Sequence, residues 1–230
     1  MAQDDINFTD LIASSIHDMK NSLNLQVSAL EKIALQCRER GDTPTFDDLG
    51  RVIYQANRMN LNLVELLSLY KMGNSIYPVH IHDHAVADVI EEAMLQNKPM
   101  MDFKGITISM DCPSDCYWYI DRELIKGVLV NALNNAYQYT SDKIHIKAFV
   151  HNRQLELRVE DNGRGYPEKM LITEAVAEER GVDFETGSTG LGFYFCSQVA
   201  QLHKNGGKRG YLMIENGGTL GGGCFIVRLP

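Results

Sequence analysis

Residues Ile12, Ile16, Met19, Leu23, Leu30, Ile33 and Cys37 recur in alternating steps of four and three, with Gln26 filling the one remaining position of the series. That is heptad spacing, and it predicts a long amphipathic helix whose apolar seam has a single polar interruption. The run "RGDTP" then breaks the helix: Gly41 suits a C-terminal stop, Thr43 an N-cap and Pro44 a first helical turn. The rhythm resumes through Leu49, Ile53, Ala56, Asn60, Leu63, Leu67 and Tyr70, and Val52, Met59 and Leu66 widen the stripe. Two long helices joined by a short turn make a hairpin. Alone it cannot bury two broad apolar faces, so the pattern predicts a homodimer whose paired hairpins close a four-helix bundle.

Around "KMGNSIYP" the helical rhythm stops, which sets the expected boundary between a hairpin domain, 1–75, and a second domain, 76–230. Beyond it, "ITISM" (106–110), "KIHIKAF" (143–149), "QLELRVE" (154–160), "YLMIE" (211–215) and "CFIVRL" (224–229) alternate or run apolar like strands. Helical stretches lie near 84–96, 122–139 and 190–203, and "ENGGT" reads as the turn of a terminal hairpin. Strands in mixed order with interspersed helices predict a two-layer α+β domain, its helices covering one face of the sheet.

Composition narrows the function. The 230 residues carry a formal net charge of -8, and Lys and Arg nowhere cluster into a run that would neutralise a phosphate backbone, so neither nucleic acid nor an anionic membrane is an expected partner. No apolar stretch approaches the roughly 18 residues that span a bilayer, and the N-terminus lacks the pattern of a secretory signal, so the expected location is cytoplasmic. The five cysteines are scattered and odd in number, which fits reduced thiols. Cys112 and Cys116 have a loose metal-like spacing with no second pair to follow. His80, His82 and His84 alternate in "HIHDH" without an evident further ligand, and read as a solvated strand or linker.

Three segments carry possible chemistry. In "NALNNAYQYT" (131–140), Asn131 and Asn135 are four apart and share one helix face. Two amides at that spacing suit a hydrated Mg²⁺, a hard ion that takes oxygen ligands, or else form a merely polar face. In "EDNGRGYP" (160–167), Asp161 stands at the end of a strand before Gly163 and Gly165. A carboxylate beside such a permissive backbone could accept a hydrogen bond from an exocyclic amine such as that of adenine, or the run is simply a turn. In "TGSTGLGF" (186–193), Gly187, Gly190 and Gly192 let backbone N–H groups converge at a helix start, a geometry that favours phosphate. The last segment is neither a Walker loop nor a dinucleotide fingerprint, lacking the Gly-Lys-Ser/Thr ending of the one and the βαβ setting of the other.

In that order, the three segments resemble the N box and the two glycine boxes of the GHKL ATPases, and "HDMKNSL" (17–23) at the head of a helical hairpin narrows the resemblance to histidine kinases of two-component systems. The likeness spans nearly the whole chain. It implies a dimerisation and phosphotransfer hairpin followed by an ATP-binding α/β sandwich of the GHKL, or Bergerat, type. By this resemblance His17 is the phosphorylated residue, Asp18 its acidic partner, and Asn21 the residue that positions water when the regulator is dephosphorylated. Asn135 is assigned to Mg²⁺, Asn131 to the phosphates, Tyr139 and Asp161 to adenine, Gly163 and Gly165 to the shape of that pocket, and Gly187, Gly190 and Gly192 to closure over the phosphates. The interval 168–186 corresponds to a mobile lid over ATP. The implied reaction is attack of His17 on Mg-ATP, with transfer of the phosphoryl group to an aspartate of a response-regulator receiver domain. With no sensor module in the sequence, the signal is expected from a separate sensor protein in trans. Two rivals share part of the pattern: a histidine phosphotransfer adaptor without autokinase activity, and a serine kinase of the anti-sigma type, which would not need "HDMKNSL".

Overall fold

The computed structural model describes residues 8–74, 76–171 and 190–230. The chain divides into two compact units, residues 1–78 and 79–230.

The first unit is a helical hairpin of α1 (Phe8–Glu39) and α2 (Thr43–Gly73). Gly41, at a φ of +74°, makes the turn in a conformation that L side chains rarely adopt. The cap of α2 differs by one residue from the expectation. Asp42 occupies the N-cap, its carboxylate accepting from the Thr45 N–H at 3.3 Å, so Thr43 is already helical and Pro44 follows in the first turn. The seam of α1 is also rotated from the expected one. Ile16, Val27 and Ala34 are its buried apolar positions, whereas Gln26 and Ile33 stay exposed. Among the apolar residues left outside, Met19 and Ile33 on α1 and Val52, Met59 and Leu66 on α2 fall in multiples of seven, while Leu11, Leu25, Leu35 and Val64 are exposed off those two series.

Among the described residues, the second unit packs three α-helices on a mixed sheet. It contains β1 (His82–Ala85), α3 (Val86–Lys104), β2 (Thr107–Asp111), β3 (Tyr117–Ile120), α4 (Arg122–Tyr139), β4 (Lys143–His151), β5 (Gln154–Asp161), α5 (Gly190–Leu202), β6 (Lys204–Asn205), β7 (Lys208–Arg209), β8 (Tyr211–Asn216) and β9 (Gly223–Leu229). The five-stranded sheet runs β2-β4-β5-β9-β8, with β2 parallel to β4 and every other pairing antiparallel. Strands β1 and β3 pair separately, as do β6 and β7; β1 falls on the "HIHDH" segment, and the other three are too short or too irregular in pattern to stand out in the sequence. Helix α3 runs eight residues past its expected end, through Pro99, and stops at Gly105, whose φ of +69° and two back-donated N–H contacts form a left-handed C-cap.

Register sorts the sheet into two faces. Ile144, Ile146, Leu157, Val159, Phe225 and Val227 point at the helices and are almost wholly buried. On the opposite face Glu156 and Glu160 are sealed beneath Arg158, Arg228 and Lys147, with Arg228 bonding Glu156 at 2.6 Å. Buried carboxylates are tolerated there because each keeps a cation and hydrogen-bond donors. Asp121, the N-cap of α4, ties the helical layer together. One carboxylate oxygen accepts from Leu124 N, the other from His80 N, and its own N–H donates to His203 Nε2 at 3.0 Å.

Candidate functional site

The polar residues singled out in the second half of the sequence meet where α4 ends, β5 ends and α5 begins as described. Asn131 and Asn135 are joined directly, the Asn135 amide donating to Asn131 Oδ1 at 2.9 Å. Their neighbour Asn134 turns the other way and bonds Asn97 of α3, which is why one face of α4 offers only the first two. Gly192, in the first described turn of α5, lies so close that a Cβ there would stand 2.3 Å from Asn131 Nδ2. Tyr139 closes α4, and the Arg164 guanidinium lies 5.2 Å from its ring centroid.

Asp161 ends β5 on the helix-covered face and is 5% exposed. Its Oδ1 accepts from Gly163 N at 2.7 Å and from Gly223 N at 3.3 Å. Burial pushes its carboxyl above the ordinary aspartate value, and the two backbone donors only partly offset this. Gly163 is required by sterics: a Cβ would come within 2.0 Å of the Tyr139 carbonyl oxygen. Gly165 has a φ of +75° and backs onto Asn216. Beside them Tyr166 meets Phe193 edge-on at 6.2 Å, and Phe193 stacks on Phe225 at 6.1 Å, so the pocket rests on an aromatic floor continuous with the core. Desolvation holds the Tyr166 phenol above its ordinary value, with the Asp161 carboxylate adding to the effect.

Residues that sequence reasoning missed hold this loop in place. Asn216 accepts from Tyr166 N at 2.6 Å and donates to Tyr166 O at 2.8 Å, acting as a short stretch of extra strand. Gly222 donates to the Asp161 carbonyl at 3.0 Å and, like Gly223, has no room for a Cβ beside the Asp161 carboxylate. Asn162 gathers Thr140 Oγ1, Asp142 N and Lys143 N on its Oδ1. The only sequence trace of these partners is the Asn-Gly-Gly run at 216–218, legible as a turn but silent about what the asparagine touches. Gly190 lies beside Gly192 in α5; Gly187 and nearly all of the lid interval 168–186 lie outside the described residues.

The other expected constellation is on α1. His17, Asp18 and Asn21 are together and exposed: His17 Nδ1 is 3.6 Å from Asp18 Oδ1 and 3.3 Å from Asn21 Nδ2. Both partners address the same ring nitrogen, leaving Nε2 without a partner among the described residues.

Among the described residues no three His, Cys, Asp or Glu side chains could hold a metal ion together, which covers both the 80–84 histidines and the Cys112–Cys116 pair. The donor set beside Gly192 still suits Mg²⁺. Asn135 spends its N–H₂ on Asn131 and keeps its own Oδ1 for a hard cation that retains several waters.

The second unit has the GHKL-type ATPase fold. Residues 120–230 match the family described as Histidine kinase-, DNA gyrase B-, and HSP90-like ATPase. The Adaptive-response sensory kinase SasA of a Synechocystis species is 28% identical over 208 residues, covering 86% of this chain and 54% of that protein, so the chain spans little more than half of that relative. Among solved structures, the Acinetobacter baumannii histidine kinase AdeS superposes with a TM-score of 0.59 at 20% identity, over 88% of this chain and 94% of that one. Full-length ShkA in complex with AMPPNP reaches 0.58 at 17% identity, over 96% of this chain and 45% of that one. The chain therefore joins a helical hairpin to a GHKL-type ATPase domain, the arrangement of histidine-kinase catalytic cores. No helix among the described residues is long and apolar enough to cross a membrane.

Proposed function

We propose that the protein is a histidine autokinase that phosphorylates His17 from Mg-ATP and passes the phosphoryl group to an aspartate of a receiver domain. The observation that carries this reading is the pairing, in one chain, of a glycine-walled carboxylate site with an exposed imidazole that has one nitrogen engaged and one free. Asp161 receives the adenine amine, its carboxylate held in place by Gly163 N and Gly223 N. Tyr139 packs on the base, Asn131 approaches the phosphates, and Asn135 Oδ1 is the protein ligand for Mg²⁺. When bound, Mg²⁺ neutralises charge on the phosphate oxygens during transfer. Glycines 190 and 192, with Gly187 preceding them, close over the phosphates.

At His17 the proton inventory follows from the geometry. In the tautomer that carries its proton on Nδ1, toward the Asp18 carboxylate 3.6 Å away, the Nε2 lone pair is the nucleophile. Nε2 forms a bond to the γ-phosphorus as the bond to the departing ADP oxygen breaks, and Asp18 takes the Nδ1 proton, leaving a neutral phosphorylated ring. When Asn21 donates its amide to Nδ1 instead, the ring proton sits on Nε2 and attack is blocked. The two neighbours thus favour opposite tautomers, which fits Asp18 to kinase duty and Asn21 to positioning the water that dephosphorylates the regulator. The protein acts as a homodimer through the exposed apolar residues of its hairpin.

The test is phosphopeptide mapping after incubation with Mg-ATP and an alkaline quench. One phosphoryl group on the peptide containing His17 is the expected result; phosphate on a serine or threonine, or an unmodified chain, would overturn the proposal.

A further inference from the structure

The face of the sheet turned away from the helices holds a cavity whose lining surface is largely apolar but which is rimmed by polar groups, separate from the nucleotide pocket. It measures about 350 Å³, and its polar lining comes from Thr107 and Ser109 on β2, Lys143, His145 and Lys147 on β4, and Thr219 in the β8–β9 connection. Register explains the gathering. Thr107 pairs with Lys143 and Ser109 with His145 across the parallel β2–β4 ladder, and alternate residues share a face. Ile144 also borders the cavity, but its ladder partner Asp161 lies on the helix-covered face, so the cavity's polar side chains and the Asp161 site lie on opposite faces of one sheet.

No carboxylate lines the cavity, although the chain as a whole carries a charge of -8. Glu160 approaches from β5 and takes up part of the Lys147 charge at 3.4 Å, while Thr219 Oγ1 accepts from Lys147 Nζ at 2.9 Å. Asp111 pairs with Lys147 in register but stays outside the lining. The Lys143 ammonium has no ion-pair or hydrogen-bond partner among the described residues. Ser109 Oγ and His145 Nδ1 are 2.8 Å apart. Whichever tautomer the neutral ring adopts, that pair keeps one donor free: the ring Nε2–H when serine donates, the serine O–H when the ring donates. The cavity therefore presents an uncompensated ammonium, a partly compensated one, and hydroxyl and imidazole donors from two adjacent strands. Several donors arriving from different directions around one cation suit a compact oxyanion with several acceptor oxygens.

We propose that this cavity is an anion site for a phosphate-type group, either the free ion or the headgroup of a small phosphomonoester. The site is separate from the nucleotide pocket yet shares a loop with it: Thr219 holds Glu160, while Gly222 in the same connection bonds Asp161.

The experiment is a titration of the full chain, saturated with a non-hydrolysable Mg-ATP analogue, with inorganic phosphate and in parallel with glycerol phosphate. The readout is the amide resonances of residues 143–147 and 219. The expected result is a saturable shift, with half-saturation on the order of 1 mM, that Lys143→Ala and His145→Ala each weaken about tenfold or more. Saturation by both ions identifies a site open to phosphomonoesters; saturation by phosphate alone identifies a site closed around the free ion. Lys147 is left intact because removing it would strip Glu160 of its cation. The proposal is overturned if the shifts never saturate, if neither variant changes them, or if they appear only when the analogue is left out, since phosphate would then be occupying the nucleotide pocket. Resonances of α4 and β9 that stay in place in both variants show that the fold is kept.

Discussion

At the scale of single residues, the proposed nucleotide site is built as much from absent side chains as from present ones. Gly192→Ala would drive a methyl group against the Asn131 amide and part it from Asn135, at a cost of about 1–3 kcal/mol of overpacking. The expected consequence is a loss of affinity for a non-hydrolysable ATP analogue of at least about tenfold by calorimetry, with α4 and the sheet still folded. Asn216→Ala acts at one remove. It deletes both bonds to the Tyr166 backbone, costs on the order of 1–3 kcal/mol, and is expected to lower the melting temperature and the analogue affinity together. The first of these residues was legible in the sequence and the second was not, for a physical reason. Gly192 belongs to a spacing of glycines near a helix start, a local pattern that favours phosphate and gains weight from the order of the neighbouring motifs. Asn216 acquires its role only when β8 is brought beside the 163–166 loop, 50 residues away in sequence. Likewise the pairing of Asn131 with Asn135 follows from helical periodicity, whereas the turning away of Asn134 depends on where α3 packs.

At the scale of elements, periodicity located the long segments and failed where a local rule was outvoted by packing. Helix α3 outruns the expected stretch of 84–96: although Pro99 removes a hydrogen bond from the helix interior, burial of Met100 and Met101 accompanies its continuation to the Gly105 cap. The α1 seam drifted by one residue toward Val27 and Ala34 because α2 takes up one apolar stripe and leaves the other uncovered. Strand β1 falls on the "HIHDH" segment that reads as a solvated strand or linker, whereas the four residues of β3 give too little alternation to read. The junction of α4 and α5 also carries a pH response. His203 is 2% exposed; its Nδ1–H donates to the Val199 carbonyl at 2.8 Å, and its Nε2 accepts from Asp121 N. Burial depresses its pKa below the ordinary value of 6.5, against the pull of Asp121. Since the unfolded chain then binds the proton more readily, the stability present above that value is lost as pH falls through it toward the depressed native value. Thermal unfolding of the ATPase unit is expected to show a lower midpoint at about pH 5.5 than at about pH 7.5, with a smaller difference in His203→Gln. Equal pH slopes in the two proteins would remove His203 from the account.

At the scale of the whole molecule, the sequence showed its architecture through the order of its motifs more than through any one of them. A helical hairpin bearing "HDMKNSL", then paired asparagines, a strand ending in Asp161 and glycines before a helix, together resemble a histidine-kinase core, whereas each alone reads as a solvated face or a turn. Dimerisation is the claim that belongs to this scale, since Met19, Ile33, Val52, Met59 and Leu66 remain exposed at heptad spacing on one chain. Sedimentation is expected to give twice the chain mass of 25.9 kDa, and Met59→Asp, which places a charge in the stripe, is expected to shift it toward a single chain. An unchanged dimer in that variant would locate the interface elsewhere. The most direct measurement of the central claim is incubation of the purified protein with γ-labelled ATP and Mg²⁺, beside His17→Gln and Asn135→Ala. The expected result is acid-labile, alkali-stable label on the parent and none on either variant; label that persists in His17→Gln, or a parent that never takes up label, would contradict it.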